Sequence, residues 1–367
     1  MRLIAKTLLG AEQLLANELQ ELGATEIATE RRAVTCTADK ETLYRICYTS
    51  RIAMRVMVKI AEFAAENEDE VYEEVKKIGW HELIGKGKSL YIDHVSFSSK
   101  MSESGYIAEK VADGIIDEMM NAEGRQPRFA SDGPDIMLNV HATDERVTVS
   151  MDAVGAPLSY RGYRDETIDA ATNEVLSAIL VDLSGWTPKQ ALVDPMCGAG
   201  TICIEAAMKA KHIPAAKYRR YAFGFESFSD FDAELWNKVR EEADSKISNI
   251  RLNIVGSDVD TDATDLAKTT TLEMKLTQEI RISRKSIKEQ QRMTQEGVIV
   301  TCPPSTEEET RHGLVDFYKE MTYHLSHNFP DYDVWIYSPA KDAMDEIDFT
   351  EEKTIEVHDG VLKLYPF

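Results

Sequence analysis

The stretch from Leu192 to Ala207, LVDPMCGAGTICIEAA, constrains the fold more than any other. An apolar run ends in Asp194, a turn containing Gly198 and Gly200 follows, and a helix-forming segment opens at Thr201. Glycines in such a turn let the main chain approach a ligand where a Cβ would collide. The first turn of the helix presents unpaired N–H groups to an anionic group. A tight strand–helix turn with no ligand is the plainer reading, and the motif alone leaves it open. A dinucleotide is a poor fit: Cys203 stands where a third glycine belongs, and the next strand-end acid, Asp258 in IVGSDVD, comes far later than the usual 20 residues or so.

Around this loop, strands and helices alternate. Strand-like ALVDP, RLNIVGSD, GVIVTC and DYDVWIYS are separated by helical TICIEAAMKAK, DATDLAKTTTLEM and GLVDFYKEMTYHLSHNF, and DETIDAATNEVLSAILVDLSGW reads as a helix before them. That order predicts an open parallel α/β sheet. KTIEVHD and VLKLYPF, joined by Asp359-Gly360, predict a closing antiparallel pair. Before residue 160 the pattern is α+β. A strand at RLIAKTL, a helix with Leu14, Leu15, Leu19 and Leu22 on one face, and a hairpin at EIATERRAVTCTA form a first unit. NEDEVYEEVKKIGW, SLYIDHVSF, GYIAEKVADGIIDEMMNAEG and a hairpin turning near Thr143-Asp144 form a second. The expected division is 1–60, 61–160 and 161–367, since 367 residues exceed one ordinary core.

The bulk numbers describe a soluble globular chain without a membrane span or a signal peptide. Five cysteines with no CxxC pair predict reduced thiols, a cytoplasmic protein, and neither a disulfide framework nor a metal site. His324 and His327, at helical spacing with no third ligand, read as a surface pair. The net charge of −22 argues against non-specific nucleic-acid binding, though a local basic face is compatible with it. KYRRY, Lys217 to Tyr221, mixes cations with aromatics and would suit RNA, but single short clusters are more often solvated faces.

DPMCGAGTICIEAA resembles the DPFCGSGT-x-x-IEAA motif of the THUMP-domain RNA methyltransferases, S-adenosyl-L-methionine enzymes related to the bacterial rRNA guanine-N2 methyltransferases. The resemblance runs almost end to end. It takes in IAKTLLGAEQLLANELQELGA, the LSYRGYR linker, the ATNEVLSAIL helix and the FGFESFSDFDAELW insertion, which explains the distance to Asp258. It implies a ferredoxin-like unit, a THUMP domain and a Rossmann-like methyltransferase domain. It further implies that Asp194, Cys197, Gly198, Gly200 and Thr201 surround the methionine part of the cofactor, that Asp258 accepts from the ribose hydroxyls, and that Asn173 lies on a covering helix. From the residues alone, Asp258 or Asp260 could instead cap the following helix. RNA, ribosomal RNA above all, is the implied partner, contacted through Lys100, Lys110, Arg161 and Arg164.

The family's catalytic Asn-Pro-Pro-Tyr reads Cys302-Pro303-Pro304-Ser305 here. In the family, the Asn oxygen and a backbone carbonyl accept from the exocyclic amine, localising its lone pair, while the Tyr stacks on the flipped base. A thiol is a weak acceptor and a serine cannot stack. The expectation is therefore RNA methylation by direct in-line transfer, with a non-catalytic RNA-binding or ribosome-assembly factor as the alternative. The glutamates after Ser305 disfavour a thiolate, so Cys302 reads as a small replacement rather than a nucleophile.

Overall fold

The computed structural model describes residues 1–99, 101, 104–144, 146–164, 172–306 and 313–366. Two sheets organise it. The first has eight strands in the order β2-β3-β1-β4-β8-β7-β5-β6. They are β1 (Arg2–Lys6), β2 (Thr25–Glu30), β3 (Ala33–Thr37), β4 (Arg55–Phe63), β5 (Ser89–Ser96), β6 (Arg128–Phe129), β7 (Ile136–Ala142) and β8 (Val147–Asp152). Helices α1 (Glu12–Glu21), α2 (Lys40–Thr49), α3 (Glu68–Val75), α4 (Trp80–Leu83) and α5 (Ser104–Glu123) accompany it. The two N-terminal units expected from the sequence thus share one sheet, joined where β4 runs antiparallel to β8 with a bulge between Lys59 and Ala61. The boundary expected at residue 60 falls inside β4.

The second sheet has seven strands in the order β11-β10-β9-β12-β13-β15-β14. They are β9 (Ala191–Asp194), β10 (Ile254–Asp258), β11 (Ile280–Arg284), β12 (Gly297–Thr301), β13 (Tyr332–Ser338), β14 (Lys353–Val357) and β15 (Gly360–Pro366). β11 to β13 are parallel, and β15 pairs antiparallel with both β13 and β14. Helices α6 (Glu174–Leu183), α7 (Thr201–Lys211), α8 (Ala233–Ser245), α9 (Thr261–Glu273), α10 (Leu314–Asn328) and α11 (Lys341–Asp345) belong to this half. β12 is buried at every position, as its β-branched run GVIVT requires of a strand covered on both faces. Strand order reverses between β9 and β12, and in sheets of this kind the crevice at that switch point is where ligands bind.

One hydrophobic core is common to the N-terminal helices and one face of the second sheet. The insertion after α7 knits them together: Tyr44 of α2 stacks on Phe225 with centroids 4.4 Å apart, and Tyr48 meets Trp236 of α8 edge-on at 5.5 Å. A separate core, built around Trp80, Val111 and Leu138, sits under the β5–β8 half of the first sheet. No helix among the described residues is long and apolar enough to cross a membrane.

Candidate active site

The residues of the glycine loop meet at the carboxyl ends of β9, β10 and β12. Asp194 ends β9 almost wholly buried. Its Oδ1 accepts from the Thr301 hydroxyl at 2.9 Å and from the Met196 N–H at 3.3 Å. Burial pushes this carboxyl up from 3.8 to about 7; the two hydrogen bonds oppose the rise and the nearby charge of Asp258 adds to it. The loop then folds back on the neighbouring strand: Cys197 N–H donates to Ser257 O at 2.9 Å and Gly198 N–H donates to Asp258 Oδ2 at 2.9 Å. Gly200 sits at φ +78°, where a Cβ would also come within 3.1 Å of the Ala267 Cβ, so only glycine fits without strain. Under the loop, Gly256 leaves the space that the Cys197 and Cys203 thiols fill.

Of the two acids that the sequence offered as the cap of the following helix, Asp260 takes that place. Asp260 caps α9, accepting from Ala263 N–H at 3.0 Å. Asp258 holds the loop through Gly198 and accepts from Asp260 N–H with its other oxygen at 3.0 Å. Each of its oxygens keeps a lone pair for a ligand.

These elements enclose a cleft of about 590 Å³ lined by Asp194, Cys197, Gly198, Asp258 and Cys302 to Ser305. Its walls also include Phe317, Met321, Tyr337, Lys285 and Lys288. The Cys302-Pro303-Pro304 strap is tied down by Tyr318, whose hydroxyl lies 3.1 Å from Pro304 O and 2.7 Å from Ser338 Oγ. Cys302 is partly buried, and burial together with the Asp194 charge pushes its thiol well above the ordinary range, against a hydrogen bond with Thr172. That agrees with the sequence reading against a nucleophile.

Other expected residues fall elsewhere. Gly200 and Thr201 stand behind the loop rather than in the cleft wall. Asn173 caps α6 through its side-chain oxygen, accepting from Val175 and Leu176 N–H at 3.0 and 3.2 Å; its neighbour Thr172 is the residue that lines the cleft. The RNA contacts require correction. Arg161 is 1% exposed and donates to Glu205, Leu158 O and Arg51 O, so it braces the linker and cannot reach RNA. Arg164 pairs with Glu174 at 2.8 Å and donates to the Thr201 hydroxyl at 2.8 Å, and with only 8% of its side chain exposed it is turned away from phosphate. The Lys110 ammonium is matched by Asp69 at 2.6 Å, and Lys100 lies outside the described residues.

Two contributions escaped the sequence reading. Lys285, from the acid-free run IRISRKSIK, puts positive charge on the cleft wall, while Lys288 beside it is ion-paired with Glu320 of the same wall; that run was the available signal. Gln290 braces the loop by donating to Pro195 O at 3.0 Å, a tertiary contact without a sequence signature. Among the described residues no group of three or more His, Cys, Asp or Glu could hold a metal ion.

Comparison with known proteins gives three family matches: the RlmL ferredoxin-like domain over residues 2–57, the THUMP domain over 65–152, and the RMKL-like methyltransferase domain over 161–362. The ribosomal RNA large subunit methyltransferase K/L of Photobacterium profundum is 38% identical over 244 residues, 66% of this chain and 34% of its own length. The chain spans between a third and about half of the K/L methyltransferases it matches. A Synechocystis protein provisionally named an RNA methyltransferase is 29% identical across 96% of this chain and 92% of its own. A crystal structure of a candidate methyltransferase complexed with SAH aligns with a TM-score of 0.88 at 26% identity, covering 99% of this chain and 97% of that one. With the fold, the loop and more than half of the length in agreement, this chain is a member of the RMKL-like methyltransferase family.

Proposed function

We propose that this chain transfers a methyl group from S-adenosylmethionine to RNA, with the exocyclic N2 amine of a ribosomal RNA guanine as acceptor. The observation that carries the reading is one cleft joining the glycine loop, the strand-end carboxylate Asp258 and the Cys302–Ser305 strap. The cleft suits the cofactor. Its volume is that of a small-molecule site, the loop lacks a Cβ at Gly198, and the spare lone pairs of Asp258 match a ribose diol. When bound, the cofactor supplies an electrophilic methyl group on a sulfonium.

The chain's own residues orient and desolvate. Asp258 would hold the ribose, the Cys197–Ala199 turn would flank the methionine part, and Thr172 beyond the Asn173 cap would close the near side. Pro303 and Pro304 fix the strap and offer no N–H to compete for its carbonyls. Localising the amine lone pair then falls on strap carbonyls, because the Cys302 thiol is a weak acceptor. Phe317 and Tyr337 supply aromatic surface in the cleft that Ser305 cannot. Residues 161–367 would carry the chemistry, and 1–60 with 61–160 would capture RNA in the cytoplasm, where five free thiols are at home.

A second reading, a cofactor-binding RNA or assembly factor without turnover, is favoured by Cys302 and Ser305 themselves. Mass spectrometry of rRNA nucleosides from cells with and without the protein decides. Loss of one methylguanosine in its absence supports the enzyme; identical nucleosides, with the cofactor bound by the purified protein, favour the second reading.

A further inference from the structure

KYRRY and the LSYRGYR linker, far apart in sequence, come together on the surface. Tyr160 and Tyr221 are 39% and 47% exposed, with ring centroids 6.1 Å apart and planes at 43°. The pair is held from behind. The Arg219 guanidinium donates to the carbonyls of Val154, Ala156, Pro157 and Tyr221 and lies 5.9 Å from the Tyr221 centroid. Gly162, at φ +83°, packs so tightly on the main chain of Tyr218 that a Cβ would come within 2.2 Å of its carbonyl oxygen. Two aromatic rings are thus kept in water on a well-braced base.

The charge around them is unlike the rest of the molecule. The segments that form the patch, 153–164 and 206–225, carry no carboxylate side chain in a protein with 64 Asp and Glu. Arg161, Arg164, Lys209, Lys211 and Lys217 are matched by Glu205, Glu174, Asp182, Glu279 and Asp244 from elsewhere. Arg220, beside Tyr221, is exposed and makes no ion pair among the described residues. The patch is therefore aromatic with a net positive edge. Arg164, four residues after Tyr160, donates to Thr201 at the start of α7, the helix that follows the glycine loop.

We infer that Tyr160, Tyr221 and Arg220 form a docking platform for single-stranded RNA at the linker that precedes the methyltransferase sheet. Exposed aromatic rings accept the face of any base, and a neighbouring cation meets the phosphate between stacked nucleotides. This inference rests on RNA being the substrate class proposed above. It relocates the cationic contacts from Arg161 and Arg164, which are buried in ion pairs, to Arg220.

Fluorescence anisotropy with a 5′-labelled 15-nucleotide oligoadenylate, at low salt, tests it. The Tyr160→Ala/Tyr221→Ala double variant should weaken binding at least about tenfold, in line with the loss of base stacking. Tyr160→Phe/Tyr221→Phe should bind within about twofold of the unaltered protein, because the rings remain. Arg220→Glu should weaken binding and flatten the dependence of log K on log salt by roughly one phosphate contact or more. Affinity for S-adenosylmethionine should stay constant in all three, showing the fold intact. Equal binding by the double alanine variant would overturn the platform, as would a double phenylalanine variant as weak as the alanine one. No binding by the unaltered protein would overturn the RNA reading itself, a different result from either.

Discussion

Asn in place of Asp194 is expected to stabilise the protein most at pH 8 and clearly less at pH 5. A carboxyl held near 7 in the folded chain and near 3.8 in the unfolded one binds more protons when folded throughout that window. Stability from this group therefore falls as pH rises from about 4 to 7 and is flat above. The full cost of the buried charge is about 4 kcal/mol at pH 8, taking 1.36 kcal/mol per pKa unit. Asn keeps the oxygen that accepts from Thr301 and Met196 and carries no charge, so about 2–4 kcal/mol should be recovered. For a unit of about 200 residues this corresponds to a rise in Tm of roughly 5–15 °C. At pH 5 the folded carboxyl is protonated and nearly isosteric with Asn, but the unfolded one is ionised, so a difference of about 1.6 kcal/mol remains there. Calorimetric scans of both proteins at the two pH values provide the comparison. A lower Tm for Asp194→Asn at pH 8, or the same shift at both pH values, would refute the reasoning. A weaker affinity for the cofactor is the expected accompaniment, as at many sites where a strained charge is kept for function.

Three further outcomes are expected. Asp258→Ala should weaken S-adenosylmethionine binding by about 1–3 kcal/mol in calorimetry, since it removes the proposed diol acceptor together with the anchor of Gly198. Cys302→Ser should leave fold and cofactor affinity nearly unchanged, whereas Cys302→Asn with Ser305→Tyr should raise methyl incorporation into guanine-containing RNA; a covalent adduct on Cys302 with a 5-fluoropyrimidine RNA would contradict both. Arg161→Met should cost about 3–5 kcal/mol in denaturant unfolding by stranding the fully buried Glu205, and adding Glu205→Met should restore much of it. Were Arg161 an RNA contact instead, stability would hold and RNA affinity would fall.

Much of the methyltransferase half was legible because its strands are apolar and its turns carry their own signals. GVIVT, ALVD and the Asp359-Gly360 turn each announce themselves within a few residues. β11 was missed because IRISR is an edge strand whose exposed charges blur the alternation. The division of labour between Asp258 and Asp260 was illegible for a different reason. Both stand at cap spacing, and only the fold of the glycine loop onto Ser257 and Asp258 separates them. Arg161 and Arg164 misled in the same way: a basic linker motif looks like a phosphate contact until its carboxylate partners, 44 and 10 residues on in the chain, are brought against it.

The pairing of β4 with β8 has a consequence for how the N-terminal half can come apart. Losing the six ladder pairs would leave each strand with a row of bare N–H and C=O groups in the middle of what is now a continuous sheet, whose outermost strands among the described residues are β2 and the two-residue β6. Cutting the chain near residue 60 would turn a central seam into two sticky margins, the kind that recruit other chains. Residues 1–152 should therefore melt in one step, with amide protons along β4 and β8 exchanging together and last. An ancestor could lengthen the loops of either part, but neither could be lent to another protein without carrying the seam along.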